Sequence, residues 1–472
     1  MMFMSLTVYN TMSRKKELFK PQESKRVKFY SCGQTVYDDL HIGNAATYCR
    51  WDVITRYLLW RGYDVMHVQN FTDVGHLTDD EDQGEDKVEK RARLRKLEPM
   101  ELVERQIEAY WRDMDALNNL RPNITPRATQ FIVEMQDLVK TLLGNGFAYE
   151  VDGNVYFNTV KFKEYGKLAR LKIGELKAGA RVEIDPRKRN PSDFALWINA
   201  PSNHIMKWSS PWGVGYPGWH IECSVMALKY LGPTLDIHAG GIDHIPVHHI
   251  NEIAQSEAVT GKPFSNYWLH SAHITINGEK MSKSKGNFIT ARDAISKWGA
   301  MTVKLALISG HYRSQIDFSE GMMTTASSTI DKVVNLVSSV NAQNVFGKKS
   351  LKADVNASVK EFIDAMDDDF NTPKALAVIH SLIKALNSSL GVASKESLTE
   401  ACDKILELLG VLGVKVELES KGPSNELVEL LISVRNAARK AKNFLVSDSV
   451  RDGLKKLGIT IEDTDNGTKW HY

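Results

Sequence analysis

The stretch DIHAGGIDHIPVHHINEIAQSE, residues 236–257, holds four of the chain's 14 histidines. Pro246 suits the first turn of a helix, so a helix is expected over residues 247–259. On it His248 and Glu252 stand four apart on one face and can grip the same ion, while His249 and Asn251 point away. His238 and His244 fall in the preceding Gly-rich loop. Two ligands do not make a metal site. Cys32 and Cys223 supply the missing donor type, although spacing alone does not join cysteines so far apart. A lone cysteine is ordinarily a small buried hydrophobe, which is the reading for Cys49 and Cys402.

Two further stretches could handle phosphate. In HIGN, residues 41–44, Gly43 lets a ligand approach the backbone, and the helix N-terminus that follows favours an anion. His41 could hydrogen-bond a phosphate oxygen, though a turn histidine is also a common surface residue. NGEKMSKSKGN, residues 277–287, sets Lys280, Lys283 and Lys285 among serines between Gly278 and Gly286. A solvated loop and a mobile lid that meets triphosphate charge both fit this composition. Together, in this order on one α/β chain, the two stretches are far more specific than either alone. A helix over 424–444 carries Arg435, Arg439 and Lys442 beside an apolar stripe of Leu427, Leu431, Val434 and Ala438. Snorkelling bases explain it unless the rest of the chain implicates RNA.

The elements that must position these residues begin with RVKFYSC, read as a strand. A helix through AATYCRWDVITRYLLW follows, with Tyr48, Trp51, Ile54, Leu58 and Leu59 on one stripe and Gly62 at its end. YDVMHVQNF is a second strand. This unit implies a parallel sheet with a nucleotide-type site at its strand ends. Residues 79–110 read as a charged, solvated helical excursion. Residues 116–195 read as an insertion with a helix and the hairpin-like FAYEVDGNVYFNTV, and the sheet pattern resumes near 215. Beyond 320 the chain turns to helices, the first with Ile330, Val333, Val334, Val337 and Val340 on one face.

Bulk composition sets wide limits. Of 472 residues, 43% are hydrophobic and 25% charged, and 60 Lys+Arg face 58 Asp+Glu. A nucleic-acid partner would therefore need a local basic patch. No apolar run reaches the eighteen or so residues that cross a bilayer, and the N-terminal bases follow the apolar stretch, the wrong order for a secretory signal. Four scattered cysteines make no disulfide framework, so the cytoplasm is the expected compartment and no membrane partner is expected.

The stretches FYSCGQTVYDDLHIGNAATY, NFTDVG, DFALW, PGWHIECSVM, DIHAGGIDHIPVHHINEIAQSE and EKMSKSKGNF, and later SGHYRSQIDFS, AMDDDFNTPKAL and SVRDGLKKLGITIEDTDNGTKW, resemble the cysteinyl-tRNA synthetases. These are class I aminoacyl-tRNA synthetases, and the resemblance covers nearly the whole chain. It implies a Rossmann-like catalytic core over 1–115 and 196–260, a connective insertion over 116–195 and a KMSKS and stem-contact region over 261–320. A helical bundle over 321–410 and a small anticodon-binding module over 411–472 would follow. It implies one zinc ion per chain on Cys32, Cys223, His248 and Glu252. It implies ATP handling by His41, Gly43, Asn44, Lys280 and Lys283, with Mg²⁺ accompanying ATP. A cysteine pocket of Gly33, Thr72, Trp219, His238 and Asp243 and anticodon contacts at Arg439, Phe444, Asp448 and Asp463 also follow. His244 and His249 are left as supporting residues. The implied partners are L-cysteine, ATP and tRNA(Cys), and the implied state is a monomer.

Gln34 stands where the family usually has proline, HIPVHH replaces the usual phenylalanine–proline before the histidine pair, and Phe444 stands where tryptophan is common. Three other readings share parts of the pattern. A cysteine ligase with a small amine acceptor has no use for an anticodon module, and a silent cysteine- or zinc-binding paralogue has none for intact HIGN and KMSKS. A plain nucleotidyltransferase has none for Cys32, Cys223 and His248 together.

Overall fold

The computed structural model describes residues 6–78, 84–171, 185–281, 286–343, 345–418, 425–464 and 467–471. The chain divides into two compact units, Met1–Val416 and Glu417–Tyr472.

In the first unit the β-branched runs become the strands Arg26–Thr35 and Asp64–Thr72, joined by the helix Ile42–Trp60. Gly62, at φ +84°, takes the left-handed conformation that ends the helix. Two later strands, Leu235–Gly241 and Ser265–Ser271, complete a parallel sheet. Its order is Ser265–Ser271, Leu235–Gly241, Arg26–Thr35, Asp64–Thr72. Connections leave in opposite directions on either side of the Arg26–Thr35 and Leu235–Gly241 pair. A ligand crevice therefore opens at their carboxyl ends. The joining helix packs against Asp64–Thr72 and also against the helices Ala300–Ile308 and Lys395–Val411. It therefore buries more than one stripe. Tyr48, Trp51, Ile54 and Leu58 are buried as expected, but Tyr57 is buried too, while Leu59 is 43% exposed.

A five-stranded antiparallel sheet stands beside this core. Its order is Ala148–Val151, Asn154–Phe157, Phe194–Asn199, Gly213–Pro217, Trp208–Ser210. Asp152 and Gly153, both at positive φ, form the tight turn of its first hairpin. The sheet continues past residue 195 to Pro217, so the strand near 215 belongs here, and the parallel sheet resumes only at Leu235. Short alternating strands do not reveal which sheet they will join.

The helices Glu320–Ala342, Lys352–Asp367, Thr372–Asn387 and Lys395–Val411 complete the unit. Val333, Val337 and Val340 face its core. Among the described residues no helix is long and apolar enough to cross a membrane.

The second unit holds the helices Asn425–Lys440 and Phe444–Lys456 and the hairpin Thr460–Thr464 with Gly467–His471. The helix expected over 424–444 runs only from Asn425 to Lys440, because Lys442 takes a positive φ and Asn443 caps a second helix, its side chain accepting Val446 N–H. The buried stripe is Val428, Ile432 and Arg435. Leu427 and Val434, expected inward, are 46% and 43% exposed. The first helix is leucine-rich on two faces, and the packing of the hairpin and second helix selects one.

Candidate active site and metal centre

Cys32 lies inside its strand, at an irregularity where the pairing register slips between Ser31 and Gln34. The strand continues to Thr35, and the slip turns the Cys32 thiol toward the crevice end. Cys223 comes from the helix Trp219–Leu231. His248 belongs to a widened i→i+5 turn, Ile245–His249, that opens the helix Ile250–Thr260 carrying Glu252. One donor atom from each of Cys32, Cys223, His248 and Glu252 lies within 4.8 Å of the others, and all four residues are buried.

Glu252 has no solvent exposure. Its oxygens lie 3.0 Å from His248 Nε2 and 2.7 Å from His238 Nε2, yet neither is aligned to accept a hydrogen bond. Burial works against its charge, but His238 and His248 hold the carboxyl well below its usual range. Burial likewise opposes a charged His248, and Glu252 and Cys223 raise it to about 10. Cys223 is brought down to about 6, against burial, by the Cys32 hydrogen bond and His248, while burial and Cys223 push Cys32 up. A buried carboxylate with both oxygens unbonded, facing two thiols and an imidazole, fits a tetrahedral, zinc-type donor set.

His249, expected to point away, faces Cys32 with Nε2 3.3 Å from Sγ. The widened turn advances each residue by less than a regular helix does, so adjacent histidines reach the same side. Behind it, His249 Nδ1 meets His270 Nε2 at 2.8 Å, and His270 Nδ1 meets Thr11 Oγ1 at 2.7 Å. His238 is on the Leu235–Gly241 strand rather than in a loop. A second quartet, Cys32, His238, His249 and Glu252, overlaps the first.

From the four-donor end a cavity of about 630 Å³ runs to the HIGN turn. Cys32, Gly33, Thr72, Trp219, Cys223, Asp243 and His248 line one end, and His41, Gly43, Asn44, Met281 and Phe288 the other. His238, expected on this wall, is fully buried behind Glu252 and does not line it, while His244 does. A Cβ on Gly33 would sit 1.6 Å from the Asn70 carbonyl oxygen, so only glycine permits the approach of these strands. The Gly33 N–H donates to Asn70 Oδ1 at 2.9 Å, and the Thr72 hydroxyl to Glu222 Oε2 at 3.0 Å.

At the other end His41 caps the helix, its Nδ1 accepting from Asn44 N–H at 3.2 Å. Asn44 Nδ2 and the Tyr48 hydroxyl both donate to Gln34 Oε1, at 3.0 and 3.3 Å. The turn is tied to the chain after the lysine-rich loop, Ile42 N–H to Ile289 O at 3.0 Å and Ala291 N–H to Leu40 O at 2.8 Å. The HIGN turn and residues 289–291, far apart in sequence, are thus neighbours. Lys280 lies on the short strand Glu279–Lys280, and Lys283 falls outside the described residues.

Sequence reasoning missed Asn70, His76 and Lys87, all on the cavity wall. The only signal was a histidine and a lysine beside a charged run, which composition alone assigns to solvent. In the second unit Arg435 makes a bidentate pair with Asp463 at 2.8 and 2.7 Å, and Arg439 also pairs with Asp463. Phe444 is 61% exposed, and Asp448 lies 3.5 Å from Arg451. Of the four residues expected to contact an anticodon, Arg439 and Asp463 are thus joined and the other two are separate.

Residues 18–328 match the model of the class I (C) tRNA synthetase catalytic domain, and residues 361–417 match that of the DALR domain. The chain is 44% identical to a Cysteine–tRNA ligase of Chlorobium chlorochromatii, covering 99% of both chains. It is 45% identical to one of Caldicellulosiruptor saccharolyticus, covering 98% of this chain and 99% of the other. A Mycobacterium tuberculosis methionyl-tRNA synthetase in complex with methionyl-adenylate shares the fold at TM-score 0.58 and 14% identity, covering 82% of this chain and 89% of that one. An Agrobacterium radiobacter LeuRS in a ternary complex with tRNA and LeuAMS does so at TM-score 0.62 and 12% identity, with coverages of 84% and 85%. With a parallel sheet, a HIGN turn and relatives matched from end to end, the chain belongs to the cysteine–tRNA ligase family of class I tRNA synthetases.

Proposed function

We propose that this chain joins L-cysteine to tRNA(Cys) with ATP, and that Cys32, Cys223, His248 and Glu252 hold a zinc ion that reads the substrate thiol. The observation that carries it is the single cavity with the four-donor cluster at one end and the HIGN turn at the other. An amino acid recognised at the first end reaches its carboxylate toward a nucleotide bound at the second. The carboxylate attacks the ATP α-phosphate, giving cysteinyl-adenylate and pyrophosphate. A hydroxyl of the terminal ribose of tRNA then takes the cysteinyl group and releases AMP.

Cysteine and serine differ by one atom, and translation needs about 10⁴–10⁵-fold selectivity, more than shape can supply. Zinc, when bound, supplies a chemical test, since it favours a thiolate far above a hydroxyl. Gly33, Thr72, Trp219 and Asp243 form the walls around the amino acid. His41, Gly43 and Asn44, with Lys280 and Lys283 of the loop, position ATP and meet the charge of the first step. Mg²⁺ accompanies ATP. Arg439, Phe444, Asp448 and Asp463 serve the anticodon, and the enzyme acts as a cytoplasmic monomer.

The test is transfer of labelled cysteine, with serine in parallel, to unfractionated tRNA. Attachment of cysteine alone is expected. Cysteine-dependent pyrophosphate exchange without attachment would place the acceptor elsewhere. For the metal, Cys223→Ser should abolish zinc in metal analysis with the fold retained; a full zinc complement would refute the ligand set.

A further inference from the structure

His76 sits at the metal end of the cavity and belongs to none of the roles above. Its ring lies flat on Trp219, with centroids 4.1 Å apart and planes at 8°. The other face of Trp219 stacks on His248 at 4.4 Å and 26°. Trp219 is therefore held between two imidazoles, one of them in the four-donor cluster.

The edge of His76 is fixed as well. Lys87 Nζ lies 2.8 Å from Nε2, and Thr35 Oγ1 lies 2.8 Å from Nδ1. An ammonium group only donates, so Nε2 is the acceptor and Nδ1 carries the hydrogen that goes to Thr35. Thr35 then keeps its own hydroxyl hydrogen for an acceptor in the cavity, whose wall it forms. The backbone fixes this arrangement. Lys87 N–H donates to His76 O at 3.0 Å, and Asp86 Oδ2 accepts Gly75 N–H at 2.8 Å, so the chain on either side of His76 is tied to the start of the helix Lys87–Arg95.

We propose that His76 is a positioning residue for cysteine: its face holds Trp219 against His248, and its edge orients the Thr35 hydroxyl into the cavity. It acts on amino-acid binding and leaves the phosphate chemistry at the HIGN turn alone. This rests on the cysteine-ligase reading. Loss of such uniform binding raises KM with kcat unchanged.

The experiment is cysteine-dependent ATP–pyrophosphate exchange on the full chain, with zinc content measured on each variant. His76→Ala, which removes stack and hydrogen bonds together, should raise the KM for cysteine about tenfold. The KM for ATP, kcat and zinc should stay within about twofold of wild type, inside the scatter of a residue that touches neither. His76→Phe keeps a flat ring on Trp219 and should raise it about threefold, and Lys87→Met, which removes the donor to Nε2 and leaves the His76 ring in place, about twofold. A wild-type cysteine KM in His76→Ala overturns the proposal, as does a fall in kcat at constant KM. Equal effects of Ala and Phe would show the stack idle and also overturn it. Should His76→Ala fail to fold, wild-type cysteine KM in both other variants overturns it. Wild-type protein without cysteine-dependent exchange would instead remove the functional reading itself.

Discussion

Glu252 and Asp369 are both carboxylates without solvent exposure, and their surroundings differ completely. Asp369 Oδ1 accepts from Tyr9 N–H and the Tyr312 hydroxyl, both at 2.8 Å, and Oδ2 pairs with Arg313 at 2.6 and 2.7 Å. It is the last of three consecutive acids that each hold a different segment. Asp367 pairs with Arg61 and takes the Tyr57 hydroxyl at 2.6 Å, and Asp368 pairs with Lys16 and Lys374. Left-handed backbone at Asp369 and Phe370 lets neighbouring side chains diverge in this way. Glu252 has both oxygens unbonded and meets thiols and imidazoles instead. An acid whose hydrogen bonds are complete is holding the fold together. Glu252, whose oxygens make no aligned hydrogen bond, is balanced instead by His238 and His248 at 2.7 and 3.0 Å and faces two thiols, surroundings that suit a metal ligand.

Substitutions can break that contrast. Glu252→Gln should have the largest effect on activity. Zinc should be lost, and cysteine-dependent exchange should fall by more than about 100-fold, beyond the change typical of groups that only orient ligands. The thermal midpoint should move little, and retained zinc in metal analysis would place Glu252 with Asp369. Asp369→Asn should do the reverse. It leaves Arg313 without its counter-charge and should cost about 3 kcal/mol in denaturant unfolding, with zinc content unchanged.

A smaller effect sharpens the comparison within the cavity, where Gln34 Oε1 is a fully used acceptor. Gln34→Ala, Asn44→Ala and the double variant should show a coupling of about 1 kcal/mol in kcat/KM for ATP. Additive effects would separate the two residues. The smallest effect belongs to Asp463, satisfied like Asp369 but on the surface. The hydrogen bonds of Arg435 hold its carboxyl well below the usual range. Its folded pKa is depressed, so its contribution is fully present above the unfolded value near 3.8 and is lost as pH falls below it. Arg435→Met should reduce the acid sensitivity of unfolding of residues 417–472 in that window, read by circular dichroism between pH 4 and about pH 2. Unchanged sensitivity would show that the pair contributes nothing there.

What the sequence by itself determined is what depends on local period and turn chemistry. The strand–helix–strand start, a helix opening at the HIGN turn, the hairpin of FAYEVDGNVYFNTV and the pairing of His248 with Glu252 across one helical turn all follow from neighbours a few residues apart. The motifs also carried family membership, since their order survives whatever the chain does between them. Tertiary structure alone decided the rest. Cys32 reaches Cys223 because a register slip at Ser31–Gln34 and a crossing helix bring them to the same strand end. His249 turned inward, and His238 ended behind Glu252, because a widened turn and a strand replaced a regular helix and a loop. His76, just ahead of the charged run of residues 79–110, found Trp219 only through the packing of distant segments. None of these has a period to read: each is set by one irregular residue or by contact between distant segments, and both are fixed only when the core closes around them.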